Sequence, residues 1–220
     1  MLYKIFLFAL IICFLNSCKQ NHTKENKGET NKDSISLNSD KEQPEKEISK
    51  EATRKYGIKS AKITFTTQIA GVEGLRILYF DNFGKDECEE IYEKGKLTES
   101  TLSFNNFMYK IIHKDKSAYK LGPTRTGVAY KFDWQQLPDK LKKEGRVIKT
   151  QNKEVAGKIC EAYKMENAGI VTEFAGWNNI CLFTEQKTKQ GNSFSKAIKI
   201  EENIKIAPEK FSLSKDLMVK

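Results

Sequence analysis

The sequence is poor in the residues that most catalytic and metal-binding signatures require. Only two of its 220 residues are histidine, His22 and His113. A zinc site needs three or four ligands at workable spacing, and the chain has no C-x-x-C and no H-x-x-x-H pair, so a His-rich metal scaffold is excluded. No G-x-S-x-G elbow accompanies His113, which removes the usual frame for a Ser-His-Asp triad. Gly71-Val72-Glu73-Gly74 reads as a turn and not as a phosphate-cradling loop. Four prolines and 13 glycines exclude a Pro-rich spacer and a collagen. Glycosidase-type chemistry needs two carboxylates about 5–10 Å apart. Asp81, Asp86, Glu87, Glu89 and Glu90 cluster in sequence, but acids following a strand read as a solvated loop. The expectation is a protein without catalytic residues, metal or cofactor. Long apolar runs are missing too: the run Ile5 to Leu15 has 11 residues, where about 20 are needed to span a bilayer.

That short run is informative in its place. Lys4 precedes it and Leu15-Asn16-Ser17-Cys18 follows, which is the layout of a secretory signal. The four residues resemble the bacterial lipobox, in which the chain is cut before the cysteine and the cysteine is acylated. The resemblance implies cleavage between Ser17 and Cys18 and lipidation of Cys18. The alternative is an ordinary cleaved signal that happens to contain a cysteine. Several acyl chains would hold the protein stably on a membrane, where a single one binds only marginally.

The expected organisation is a signal peptide at 1–17, a lipidated charged tether at 18–46 and one domain at 47–220. From Lys19 to Lys50 seven lysines face seven acids, aromatics are absent, and the large aliphatics are Ile35, Leu37 and Ile48. Such a segment cannot bury enough apolar surface to offset its ordering entropy; as a flexible coil it reaches on the order of 30 Å. The domain retains most of the formal +9 charge. A basic surface suits anionic partners, yet an exported, membrane-anchored protein does not meet DNA, so nucleic acid is not an expected partner. Lys140, Lys142, Lys143, Arg146, Lys149, Lys153 and Lys158 form a basic-rich region, read as solvated surface in preference to a headgroup site.

Within the domain, Ile48, Ala52 and Tyr56 recur every four residues before Gly57, which predicts a short opening helix. The period then falls to two. Ala61 to Ile69 alternates apolar or small with polar residues, the mark of a strand with one buried face. Leu75 to Phe80 predicts a second strand, apolar on both faces in its later part, closed by Asp81-Asn82-Phe83-Gly84. Further strands are expected at 87–92, 97–104, 107–113, 117–120 and 128–132, and a short helix at 138–144. The last third predicts strands at 158–165, 170–175 and 180–185, with turns at Glu166–Gly169 and Gly176–Asn179. A final strand carries Ile198, Ile200, Ile204 and Ile206 on one face, after which Pro208 to Phe211 packs back. The fold class is mainly β: a large antiparallel sheet of nine to eleven strands, partly rolled, with an N-terminal helix and one or two short inserted helices.

Three cysteines fall in the domain, Cys88, Cys160 and Cys181. An exported protein is allowed disulfides, and Cys160–Cys181 is the tempting pair. The meander puts a whole strand between them, about 9–10 Å away, beyond the roughly 7 Å a bridge tolerates. Free thiols are expected.

The order of elements over about residues 47–215 resembles the LolA/LolB-like superfamily and related Bacteroidetes lipoproteins. Val155-Ala156-Gly157-Lys158-Ile159-Cys160 and Ile206-Ala207-Pro208-Glu209-Lys210-Phe211 are the similar local features. The resemblance implies a half-barrel whose concave face holds acyl chains, for transfer or sensing, with a lipid or lipoprotein as ligand. Phe65, Leu78, Phe80, Phe104, Phe107 and Tyr109 are the candidate ligand-binding residues of that cavity; as large apolar strand residues they serve equally well as plain core. The alternative is a structural or partner-binding envelope lipoprotein with a solid core; a third reading is an enzyme using His113 and the Asp81–Glu90 acids. Lys19 after the lipid cysteine, and no acidic cluster behind it, favour the periplasmic face of the outer membrane.

Overall fold

The computed structural model describes residues 54–69, 71–123, 144, 146–167, 169–188 and 191–220. The signal peptide, Cys18, the tether and the strand expected at 128–132 lie outside them, as do most of the two expected helices. Tyr56 and Gly57, at the end of the expected opening helix, lie in an irregular, bent segment, and Glu144 in a turn.

Among the described residues, thirteen strands form one sheet. They are β1 (Ala61–Ile69), β2 (Val72–Asp81), β3 (Asp86–Glu93), β4 (Lys96–Phe104), β5 (Phe107–Ile112), β6 (Ser117–Pro123) and β7 (Val147–Lys149) in the first part of the chain. The rest are β8 (Lys153–Val155), β9 (Lys158–Asn167), β10 (Ile170–Trp177), β11 (Ile180–Thr188), β12 (Gly191–Glu202) and β13 (Met218–Val219). Their spatial order is β13-β6-β5-β4-β3-β2-β1-β12-β11-β10-β9-β7, with β8 also paired to β9. Every pairing is antiparallel except the parallel β6–β13 contact. The sheet is curled and unclosed, and the expected mainly-β class holds.

Local chemistry accounts for the hairpins. Lys94-Gly95, Asn105-Asn106, Ala156-Gly157 and Asn178-Asn179 all have positive φ at both positions. Two consecutive left-handed residues make the turn whose twist matches the flanking strands, and Asn and Gly tolerate it best. The turn expected at Gly176–Asn179 is therefore shorter: Gly176 and Trp177 stay in β10. Likewise only Gly71 of the expected Gly71–Gly74 turn is in a turn, because β2 begins at Val72.

β1 keeps its alternation, with Ala61, Ile63, Phe65 and Thr67 buried. The three apolar ones join Tyr56, Leu78, Phe80, Val155, Cys160, Ala162, Ala175, Ile180, Leu182 and Ala197 in one core cluster. A second cluster holds Cys88, Leu102, Ile111 and Ala118, with Tyr79, Phe104, Phe211, Leu213 and Leu217 against it. Neighbouring residues on a strand point to opposite faces. Leu78 and Phe80 belong to the first cluster and Tyr79 to the second, so the two cores lie on opposite faces of the sheet. β2 is the strand where burial changes sides, which is why its later half is apolar throughout.

The final strand departs from expectation. Phe65 pairs Ala197 while Thr64 pairs Lys199, so Ile198 is the extra residue of a β-bulge. Ala197 is buried and Ile198 is 52% exposed; Ile204 and Ile206 lie beyond the end of β12. Pro208–Phe211 does pack back, as a short 3-10 turn whose Phe211 joins the second cluster.

Cys160 and Cys181 stand on β9 and β11 with β10 between them, and Cys88, Cys160 and Cys181 are all free. Thiol titration of the unfolded, unreduced protein, with peptide mapping, is expected to find these three as thiols. A Cys160–Cys181 disulfide peptide would disprove the strand order.

Candidate functional site

The six candidate cavity residues do not converge. Phe65, Leu78 and Phe80 are 0–4% exposed inside the first core. Phe104 packs on the second. Tyr109 is buried and stands opposite Leu102 of that second core, and Phe107 stands opposite Phe104. Directly opposed residues share a face, so the six divide between the two sides of the sheet. Lys120 Nζ covers the Phe107 ring at 3.3 Å. Two clefts at the surface hold open space, and of the six candidates Phe104 alone lines one of them, the second. One, of about 500 Å³, is lined by Thr66, Glu73, Leu75, Tyr92, Lys94 and Phe194 among others. The other, of about 520 Å³, lies between the β4–β5 hairpin and Pro208–Phe211.

The acids of 81–90 are dispersed by the same alternation. Glu87 takes Lys55 and the Tyr56 hydroxyl, which donates at 2.9 Å. Arg76 donates to Glu89 at 2.7 Å while its guanidinium lies 3.8 Å over the Phe65 ring. Asp86 accepts from Asn82. Glu90 points to the opposite face, where Lys210 Nζ lies 2.6 Å away and the Tyr92 hydroxyl donates at 2.9 Å. Burial, helped by the Glu90 charge and hydrogen bond, pushes the Tyr92 phenol up to about 12. Burial and the Glu90 charge do the same to Tyr79. Burial pulls the Lys210 ammonium down, but its hydrogen bond and ion pair with Glu90 outweigh this and leave it raised. These carboxylates act as partners for cations and phenols. His113 Nε2 lies 2.8 Å from Ser100 Oγ, and Ser100 is buried. Among the described residues no group of three or more His, Cys, Asp or Glu side chains is arranged to hold a metal ion.

Sequence reasoning missed the feature that most resembles a binding surface. Among the described residues, four of the eight large exposed hydrophobics, Tyr119, Leu121, Met218 and Val219, lie on the two strands at one edge of the sheet, distributed over both of its faces. β13 is held there by short hydrogen bonds: Met218 N donates to Lys116 O at 2.9 Å, and Lys220 N to Ala118 O at 2.8 Å. Leu121 is extruded because β5 and β6 shift register there: Met108 pairs Gly122 and Tyr109 pairs Lys120, which leaves it unpaired. Lys116, Lys120 and Lys220 are exposed neighbours of these residues along the chain, and Lys220 Nζ lies 5.2 Å from the Tyr119 ring. Apolar surface rimmed by charge is the usual make-up of a contact surface. The sequence signal was faint: Leu121 interrupts a polar stretch, and Met218-Val219 is too short to read as a strand.

No family model matches the chain, and no curated protein matches it. Solved structures do. MucB superposes with a TM-score of 0.48 at 14% identity, over 77% of this chain and 61% of that one. In the Pseudomonas aeruginosa MucA/MucB complex the values are 0.49 and 13%, over 73% and 58%. This chain thus spans about three-fifths of that protein's length. An uncharacterised conserved protein of Thermus thermophilus superposes with a TM-score of 0.51 at 10% identity, over 74% of this chain and 90% of its own. Identity this low speaks for architecture alone, and the curled sheet described above is a fold that this chain has in common with the Thermus protein.

Proposed function

We propose that the chain is an envelope lipoprotein with a LolA-like domain, anchored through acylated Cys18 on the periplasmic side of the outer membrane, that works by binding a partner protein and has no catalysis of its own. The lipobox-like Leu15-Asn16-Ser17-Cys18 supports the anchor. One observation carries the binding reading: Leu121, Met218 and Val219, each more than half exposed, stand on β6 and β13, the outermost strands at one edge of the sheet among the described residues. The burial of Phe65, Leu78 and Phe80 within one core cluster supports the same reading over an interior ligand. The lysines favour a partner that brings acidic and apolar groups together.

The second reading is an apolar ligand, an acyl chain or the lipid of a lipoprotein, held on the concave side. It is favoured by the curl of an unclosed sheet and by the resemblance to acyl-binding half-barrels.

The test is site-specific photo-crosslinking of the full chain in a bacterial envelope. A crosslinker at Val219 is expected to trap one defined protein. Leu121→Lys should reduce that adduct at least tenfold and Ile198→Lys, on the exposed bulge, should leave it intact. Native mass spectrometry of the same preparation decides between the readings. A stoichiometric lipid with no protein adduct would overturn partner binding in favour of the ligand.

A further inference from the structure

The segment 205–217 lies over the second core and is joined to the sheet by a different kind of bond from every strand. Its ends are pinned: Asn203 N donates to Ser60 O at 2.7 Å, and Met218 N to Lys116 O at 2.9 Å. Between those points its backbone hydrogen bonds are internal, from Lys210 N to Ala207 O, Ser212 N to Glu209 O and Leu217 N to Ser214 O. Among the described residues, no backbone hydrogen bond ties 205–217 to a strand. Side chains alone hold it down. Phe211, Leu213 and Leu217 pack on Cys88, Leu102, Ile111 and Ala118. Lys210 reaches in to Glu90, whose side chain is 7% exposed, and lies 4.6 Å from the Tyr79 ring.

We infer that 205–217 is a releasable strap, latched by the Lys210–Glu90 ion pair, whose opening bares the apolar β3–β6 face without unfolding the rest of the sheet. This goes beyond the proposed function and holds whatever the protein binds. Segments with few backbone bonds to their neighbours open at free energies well below global unfolding. Removing one partner of a buried pair strands the other as an uncompensated charge. With Lys210 gone, Glu90 keeps the Tyr92 hydroxyl but loses its cation, and lifting the strap is the movement that fully returns it to water. Ser100 lies directly opposite Glu90 and holds His113 at 2.8 Å. The anchors at Asn203 and Met218 hinge the movement.

Cys88 is the built-in reporter. It is 5% exposed beneath the strap, whereas Cys160 is wholly buried in the other core. Burial, with Glu90 next, pushes the Cys88 thiol up to about 12, so it is inert while covered. The full chain is treated with N-ethylmaleimide under native conditions, and modification of each cysteine peptide is followed by mass spectrometry. Cys88 is expected to react faster than Cys160. Lys210→Ala should speed Cys88 about tenfold, the equivalent of roughly 1.4 kcal/mol, and leave Cys160 unchanged; Lys210→Arg should restore the slow rate. Leu213→Ala, which loosens the strap without touching charge, should also speed Cys88 alone. The direct charge effect has the opposite sign, since Lys210 lowers the Cys88 pKa and its loss from a closed strap would slow the thiol. Equal rates at Cys88 and Cys160 in the parent chain overturn the strap. So does Lys210→Ala moving both alike, slowing Cys88 or changing nothing.

Discussion

Phe80→Ala is expected to lower the unfolding free energy by about 3–5 kcal/mol, the range for deleting a buried aromatic ring. Phe80 is 0% exposed, and its ring centroid lies 4.3 Å from that of Tyr56. It opposes Ala61 across β1–β2, a side chain too short to fill the space the lost ring would leave. Each kcal/mol shifts the midpoint by about 2–4 °C for a domain of this size, and a fall of about 10 °C should be seen by circular dichroism. Leu121→Ala, at an exposed edge, should move it within about 0.5 kcal/mol. A loss under about 1 kcal/mol for Phe80→Ala, well below the range for a packed ring, would mean that the ring borders open space. That outcome would revive an interior ligand.

Gly84→Ala is expected to cost about 2–5 kcal/mol, for two reasons that add. Gly84 has φ +85°, a left-handed conformation that costs an L-residue roughly 1–2 kcal/mol. A Cβ there would also stand 2.5 Å from Tyr56 Cδ2 and 3.0 Å from Lys55 Cβ, an overlap of the kind that costs about 1–3 kcal/mol. Tyr56 has little room to yield, because the amides of Lys55 and Tyr56 both donate to Phe83 O at 3.0 Å and its ring is packed on Phe80. Gly95→Ala separates the two terms: Gly95 has φ +74° and nothing within 4 Å of the added carbon. It should lose only the conformational part. Equal losses at the two sites, measured by urea denaturation, would show that Tyr56 moves aside freely.

Gly84 also illustrates what a sequence conceals. Asp81-Asn82-Phe83-Gly84 was legible as a turn, because Asn and Gly accept positive φ. That Tyr56 sits against Gly84 and Phe80 was not, since no local pattern connects residues so far apart. The same division runs through the site. The acids between Asp81 and Glu90 read as one cluster along the chain, yet the pleat sends Glu87 and Glu89 to one face and Glu90 to the other. Glu87, Glu89 and Glu90 belong to β3, the strand expected at 87–92, and not to a solvated loop. The candidate lining residues were legible as large and apolar on strands, but whether a buried side chain faces a void or another side chain depends on packing. The edge patch was missed because its two halves, Leu121 and Val219, lie far apart in sequence.

Alternation pointed to β1, to apolar residues on both sides of late β2 and to a mainly β domain, while Asn and Gly pointed to the turns at Asp81–Gly84 and Gly176–Asn179. These are short-range properties, set by the two-residue period of a strand and by the φ each turn residue tolerates. Tertiary structure alone decided the rest: the bulge that turns Ile198 outward, the parallel docking of β13, the change of buried face at β2 and the burial of Glu90 under Lys210. Each depends on which strand lies beside which, and a one-residue slip in that pairing reverses every side chain. That information is spread over the whole chain and becomes definite only when the sheet has assembled.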